Sequence, residues 1–431
     1  MMVGRKGRGF VNDTGKTKET AILVGCLLDH RDADRVRLSM EELADLADTA
    51  GVEVLDVITQ SRERVDAAWY LGSGKIEEIA QRARNLEVDA IIFNDELSPS
   101  QTRNLDRVFD CKVIDRTQLI LDIFARRAQS REGKIQVELA QYNYLLPRLG
   151  GQGKQLSRLG GGIGTRGPGE SKLESDRRHI RRRIRELKQQ LVDTVRTRQL
   201  HRERRRKNKA FQVALAGYTN AGKSTLLNQL TAADTLQEDK LFATLDPTTR
   251  QLTLPSGLEV LLTDTVGFIQ DLPTTLVAAF RSTLEGIREA DLILHVVDSH
   301  HPDLEIHMEV VDRVLKELGA GQIPQLVVFN KADLMRPGTY LPPAEESIVI
   351  SALRQEDLQR LLERIDSFVS ATFRQLTLKV PVERGDILSL LHREGVEMEQ
   401  HYHEGEDSYR VTVRVNPDHP IHGKIAPFLL D

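Results

Sequence analysis

Cysteine and the large aromatics are scarce: Cys26 and Cys111 are the only thiols in 431 residues, with one tryptophan and aromatics at 5%. Two cysteines supply neither a disulfide framework nor a thiolate metal site by themselves, and they read as small, reduced core residues. Long apolar runs are missing too. No window approaches the roughly eighteen consecutive apolar residues of a membrane span, and the amino terminus carries no apolar signal core, so the expected location is the cytoplasm.

What is present is ample core material and charge. The chain is 40% hydrophobic and 29% charged, the composition of a globular protein that is neither fibrous nor broadly disordered. Its length is roughly two to four times that of a typical domain, which implies several domains. The net charge of −4 hides an asymmetry: residues 166–209 hold 17 Lys/Arg against six Asp/Glu. A basic arm therefore interrupts an acidic protein. Such an arm can be a solvated helix face, but Arg177, Arg178, Arg181, Arg182, Arg183 and Arg185 cluster with too few carboxylates to neutralise them. That pattern favours contact with nucleic acid phosphates.

Residues 1–20 lack apolar periodicity and read as a tail. Over 21–130, strands at 21–28, 52–59, 90–93 and 111–115 alternate with helices at 39–50 and 75–85, which implies a small α/β domain with a mainly parallel sheet. Residues 131–209 change character. Ile135, Leu139, Tyr142 and Leu146 form one helix seam, and Ile180, Ile184, Leu187 and Leu191 form another at the same spacing. The second helix should span about 170–205, and the simplest arrangement is a long antiparallel hairpin. Its connector, 150–169, is dense in glycine and contains Lys154, Arg158 and Arg166 with no acid. With Arg148 just before it, this loop suits a backbone that approaches phosphates closely. The expected RNA-facing set is Arg148, Lys154, Arg158, Arg166, Arg177, Arg178, Arg181 and Arg182.

Residues 210–374 hold the chemistry. An apolar strand runs into Gly217-Tyr218-Thr219-Asn220-Ala221-Gly222-Lys223-Ser224-Thr225 and then a helix. This is a complete P-loop: its glycines let main-chain amides wrap a β-phosphate, Lys223 bridges the β- and γ-phosphates, and the Ser224 hydroxyl ligates Mg²⁺. A second strand ends in Asn330-Lys331-Ala332-Asp333, which selects guanine. The Asp333 carboxylate accepts from the guanine N1–H and exocyclic amine, while Asn330 and the Lys331 stem pack the ring and brace the P-loop. Ser351-Ala352-Leu353 follows a third strand and offers backbone amides to the guanine O6. Between these lies Asp264-Thr265-Val266-Gly267, in which Asp264 holds the Mg²⁺ shell through water and the Gly267 amide meets the γ-phosphate. An upstream threonine must also reach the metal. Thr244 in Phe242-Ala243-Thr244-Leu245-Asp246 is the first choice, with Thr248 as the fallback. Lys223, Thr244 and Gly267 are thus the expected catalytic group, and residues 375–431 read as a small α+β appendage.

In the order of these motifs the chain resembles translation-factor-related GTPases. The tip sequence followed by Glu170-Ser171-Lys172-Leu173-Glu174-Ser175-Asp176-Arg177-Arg178 resembles the HflX family of ribosome-associated GTPases, as do Tyr70-Leu71-Gly72-Ser73-Gly74-Lys75-Ile76-Glu77-Glu78 and 242–246. The resemblance covers nearly the whole chain. It implies a GTP- and GDP-binding protein, expected to be a monomer and partly ribosome-bound. It also implies binding to the large ribosomal subunit and its rRNA near the peptidyl-transferase centre, with dissociation or rescue of stalled ribosomes under stress. A ribosome-assembly GTPase or RNA chaperone without splitting activity is the alternative. A metabolic P-loop kinase is disfavoured by Asn330 to Asp333 and the basic arm, and a nucleotide-free scaffold by the complete guanine pocket. Phe268 stands where many small GTPases place a water-orienting glutamine; a phenyl ring cannot align water, so slow intrinsic hydrolysis stimulated by the ribosome is expected. The Gly72 to Lys75 stretch lacks the full phosphate-loop spacing and reads as a tight turn before a helix, with a second nucleotide there left open. The histidines near 300 and after 390 match no zinc pattern.

Overall fold

The computed structural model describes residues 18–28, 33–149, 168–207, 211–231, 241–242, 244–270, 286–336, 338–394, 396–403, 407–415 and 421–430. Of the tail expected over 1–20, residues 1–17 lie outside them, as do Ala243 and the glycine-dense connector with Lys154, Arg158 and Arg166, whereas Glu19 and Thr20 belong to the first strand. The chain divides into two compact units, 1–123 with 147–165, and 124–146 with 166–431.

The first unit is α/β. Its elements are β1 (Glu19–Leu27), α1 (Ala33–Thr49), β2 (Val52–Ser61), α2 (Ser73–Leu86), β3 (Ala90–Phe93), α3 (Pro99–Leu105), β4 (Lys112–Asp115) and the start of α4 (Arg116–Arg127). The sheet order is β2-β1-β3-β4 with every pairing parallel. Ala21 to Cys26 are all buried, as a central parallel strand covered on both faces requires. α1 begins six residues before the helix expected at 39, because Arg35 and Arg37 leave its first turns exposed and the apolar repeat starts only where Met40, Leu43 and Leu46 meet the core. The side chain of Arg148 sits in this unit, 11% exposed, donating to the Leu97 carbonyl at 2.6 Å and pairing with Glu96 and Asp115 at 3.2 and 3.5 Å. This corrects its assignment to an RNA-facing set: its charge is held by the fold.

The second unit contains the hairpin, α5 (Arg131–Arg148) and α6 (Pro168–Lys207), the latter about 60 Å long at 1.5 Å per residue. Ile135 and Leu139 pack against Ile184 and Leu187, with Tyr142, Leu146, Ile180 and Leu191 along the same seam. The Arg183 guanidinium grips both oxygens of Glu138 at 2.8 and 3.1 Å and fixes the pairing from the side.

A six-stranded sheet follows, in the order β10-β9-β8-β5-β7-β6. Its strands are β5 (Phe211–Gly217), β6 (Thr248–Thr253), β7 (Glu259–Asp264), β8 (Leu292–Asp298), β9 (Gln325–Asn330) and β10 (Ser347–Val349), all parallel except the edge strand β6. Its helices include α7 (Lys223–Thr231), α8 (Leu304–Glu317) and α9 (Gln355–Thr372). The core runs through Val213, Leu215, Leu262, Leu294, Val296 and Val328.

The last part is an antiparallel sheet, β11 (Arg374–Pro381), β12 (Val396–His403) and β13 (Ser408–Val415), with α10 (Gly385–Glu394) and a short α11 (His422–Ile425). Leu378, Val380, Val411 and Val413 bury one face against Ile387 and Leu391. The architecture is thus a small α/β domain, a helical hairpin, a P-loop α/β domain and an α+β appendage. No described helix is long and apolar enough to cross a membrane.

The seam makes the hairpin testable. Leu187 is fully buried while Val192 on the same helix is 61% exposed. Leu187→Ala should destabilise the pairing by about 2–5 kcal/mol, and Val192→Ala should change it by under about 0.5 kcal/mol. Amide hydrogen exchange along α5 and α6 measures both; equal exchange in the two variants would contradict the packing.

Candidate nucleotide site

β5 ends at Gly217, whose missing side chain lets the P-loop pass against the Val296 carbonyl of the neighbouring strand. Gly222 closes the loop at φ +92°, a left-handed conformation that disfavours side chains, and a Cβ there would strike the Asn330 amide. Between them, Lys223 opens α7 from a buried position. Its Nζ donates to the Gly217 and Tyr218 carbonyls at 3.0 and 2.7 Å. Burial pulls its ammonium down to about 8, with the Asp264 charge acting in the opposite direction.

Beside it, three side-chain oxygens meet. Ser224 Oγ lies 2.7 Å from Thr244 Oγ1, and both hydroxyls donate to Asp264 Oδ2, at 2.7 and 2.8 Å. An ionised Asp264 leaves two hydrogens for three contacts, and its Oδ1 is buried without a hydrogen bond. Burial raises the Asp264 carboxyl, and Lys223 and the two hydroxyls oppose the shift. Hard oxygens so arranged are the donor set for a small divalent cation. Thr248 instead lies opposite Asp264 in the β6–β7 register, and among the described residues it is Thr244 whose hydroxyl meets Ser224 and Asp264.

The base-side residues also converge. The Asn330 side chain donates to the Ala221 carbonyl at 3.0 Å and accepts from the Ala352 amide at 3.0 Å, joining the P-loop to the loop after β10. Lys331 turns through φ +63° and pairs with Asp298 at 2.8 Å. Asp333, in a short 3₁₀ turn (Ala332–Leu334), accepts from the Ser351 hydroxyl at 2.5 Å. Leu353, 70% exposed, closes this rim.

The turn after Asp264 lies over the P-loop. Thr265 donates from Oγ1 to the Leu215 carbonyl at 2.6 Å, and Val266 is buried. A Cβ on Gly267 would come within 3.1 Å of Lys223 Nζ. Phe268 exchanges backbone hydrogen bonds with the P-loop, accepting from Thr219 N at 2.8 Å and donating to Gly217 O at 3.1 Å, while its ring is buried.

Several participants escape motif reading. Tyr218 stacks on His307 with ring centroids 3.7 Å apart, and its hydroxyl accepts from the Gln270 amide at 2.6 Å. Burial, with His301 beside it, pushes His307 down to about 3, and burial with Lys223 nearby takes His295 to about 4. Both are neutral packing groups, and Asp298, which braces Lys331, is another supporting residue. No metal-like spacing in the sequence announces them. Phe242 and Leu245 are buried side chains. The Asp246 carboxylate, expected among the nucleotide-side residues, is engaged by the backbone of Gln129 and Ser130.

Comparison with known proteins places the chain in a family. The families described as "GTP-binding GTPase N-terminal", "GTP-binding GTPase Middle Region" and "50S ribosome-binding GTPase" match residues 37–125, 127–205 and 212–331. GTPase HflX of Alkalihalophilus pseudofirmus is 52% identical over 96% of this chain and 97% of its own. This chain belongs to the HflX family of GTPases. GTPase HflX of Caldanaerobacter subterraneus is 49% identical over 91% of each chain. The solved SsGBP–GDP complex aligns at 25% identity and a TM-score of 0.47, over 81% of this chain and 98% of that one. This HflX-family protein binds GTP and GDP and hydrolyses GTP.

The buried lysine yields a prediction. Burial favours the neutral amine of Lys223 in the free protein, while an added polyphosphate favours the ammonium and is itself fully ionised. Nucleotide binding should therefore take up protons at pH 8.5 and progressively fewer toward pH 7. Calorimetry in buffers of different ionisation enthalpy measures this; no uptake at pH 8.5 would refute the account of Lys223.

Proposed function

We propose that this HflX-family GTPase binds the large ribosomal subunit near the peptidyl-transferase centre through its hairpin and glycine-dense loop, and dissociates or rescues stalled 70S ribosomes under stress. The observation that carries the reading is α6. Arg178, Arg181 and Arg182 are exposed on it, outside the apolar seam, whereas Arg183 is held by Glu138. Arg182 contacts neighbours on its own helix alone among the described residues, the His179 ring nitrogen at 3.1 Å and Glu186 at 3.8 Å. A cationic face not consumed by the fold suits RNA phosphates. The match of 212–331 to a family of 50S ribosome-binding GTPases supports the same partner.

In this reading the amides of 217–225 cradle the β-phosphate and Lys223 spans the β- and γ-phosphates. Asp333 reads the guanine edge, and the Gly267 amide meets the γ-phosphate. Mg²⁺ is the proposed cofactor, held by Ser224 and Thr244 with Asp264 acting through water. When bound, it neutralises phosphate charge. Thr219 Oγ1, like Asp264 Oδ1, is buried without a hydrogen bond, in the loop that would face the phosphates. With Phe268 buried, no glutamine stands after Gly267 to orient water. Basal turnover is therefore slow, and ribosome docking supplies or orders what is missing. Cytoplasmic location and a monomeric state accompany this proposal.

Two measurements test it. Asp333→Asn should weaken GTP binding and favour xanthosine triphosphate, because an amide donates to the C2 carbonyl that replaces the guanine amine; unchanged base preference would overturn the pocket. Sedimentation of purified 70S ribosomes should show nucleotide-dependent association and subunit release with GTP but not GDP. Association without release would favour the assembly GTPase. In the same assay, Arg181→Ala with Arg182→Ala should flatten the dependence of log affinity on log salt by roughly one unit per lost contact. An unchanged slope would return α6 to a solvated helix.

A further inference from the structure

Thr244 lies between two anchors whose contacts are to the rest of the protein. On one side, Phe242 adopts φ +54° and is buried, with its ring set edge-on against Phe124 at 4.6 Å between centroids. On the other side, the Asp246 carboxylate reaches the amino end of α5. Its Oδ2 accepts from Gln129 N at 2.8 Å and Ser130 N at 2.7 Å, and its Oδ1 accepts from the Ser130 hydroxyl. The Ser130 hydroxyl oxygen in turn accepts from Gly133 N at 2.9 Å. A carboxylate at this end also meets the positive pole of the helix.

The residue facing this contact is fitted to it. Gly133 lies in the first turn of α5, where glycine is a poor helix former. A Cβ there would come 2.5 Å from Asp246 Oδ1 and 3.0 Å from Ser130 Oγ. The helix thus omits a side chain where the carboxylate enters. The anchors are Phe124, near the end of α4, and Gln129–Ser130, in the link from α4 to α5, and α5 is one arm of the hairpin.

We propose that Asp246 is a positioning residue for GTP hydrolysis: it tethers the Thr244 loop to the base of the hairpin, so that Thr244 is held at Ser224 and Asp264 only while α5 is capped. The tether makes the hairpin base and the Thr244 hydroxyl one mechanical element. A ligand that displaces α5 then alters turnover through this contact, and loss of the γ-phosphate is transmitted to α5 by the same route. The inference rests on the reading of Thr244 as a cation-side hydroxyl.

The test uses the full chain and four variants: Asp246→Ala, Gly133→Ala, Thr244→Ala and the Thr244/Asp246 double variant. GDP affinity, kcat and KM for GTP, and the Mg²⁺ concentration for half-maximal turnover are measured for each. GDP affinity should remain within about twofold of the parent in Asp246→Ala and Gly133→Ala, because the P-loop and guanine contacts are untouched. In both variants kcat should fall about tenfold and the Mg²⁺ requirement should rise, since Thr244 then keeps only its Phe242 anchor. Gly133→Ala reaches this result with Asp246 and Ser130 intact, so a folding defect in Asp246→Ala does not remove the test. The double variant should be no worse than Thr244→Ala alone. Full turnover and an unchanged Mg²⁺ requirement in both tether variants, with Thr244→Ala impaired, would overturn the proposal alone. Unchanged kinetics in Thr244→Ala would overturn the reading of Thr244 and the tether with it. A parallel loss of GDP affinity and kcat in both tether variants would mark a merely structural contact and overturn the positioning role.

Discussion

Everything in the nucleotide site depends on three oxygens being brought to one point. Ser224 begins a helix, Asp264 ends a strand, and Thr244 sits in the loop between them, yet all three contacts measure 2.7–2.8 Å. The parallel neighbours β5 and β7 set two of these positions, because both strands deliver their carboxyl ends to the same edge of the sheet. Thr244 has no strand to place it. Its position is decided by what its flanking residues bind, which gives the contacts of Phe242 and Asp246 mechanical weight.

The charge at this edge is equally constrained. Lys223 and Asp264 are both buried, and burial pushes each toward its neutral form while each opposes the shift in the other. Two carbonyls hold the ammonium and two hydroxyls hold the carboxylate. Such a pair is adapted to receive further charge: an anion completes the environment of the lysine and a cation that of the carboxylate. The neutral His295 and His307 around it fill space without adding positive charge.

The hairpin works by a division of its arginines. Arg183 is used to align α5 with α6, while Arg178, Arg181 and Arg182 stay in solvent. Adjacent residues of one cluster thus have different roles because helical spacing turns one toward the seam and the others away. Arg148 shows the same principle at the far end of α5, where proximity to Asp115 and Glu96 captures a residue that composition alone would assign to the basic arm.

The sequence by itself determined the parts whose signal is local. The P-loop, the Asn330 to Asp333 segment, the strands β1, β3, β5 and β9, and the two hairpin seams each declare themselves through spacing or apolar runs, since the residues that define them are near neighbours in the chain. Polar and edge elements were not legible: the Val396–Met398 alternation of β12 stops at Gln400, with Glu399, Gln400 and His401 exposed, and Arg35 and Arg37 in the early turns of α1 are exposed. Tertiary structure alone decided the long-range partners. Asp246 reads as one more residue of a nucleotide-facing motif until the fold brings Ser130, 116 positions earlier, within hydrogen-bonding distance. Tyr218 finds His307, and Asn330 finds Ala221 across 109 positions, in the same way. A carboxylate or an amide carries no mark of its acceptor or donor, and only the packing of the sheet and the entry to α5 selects one.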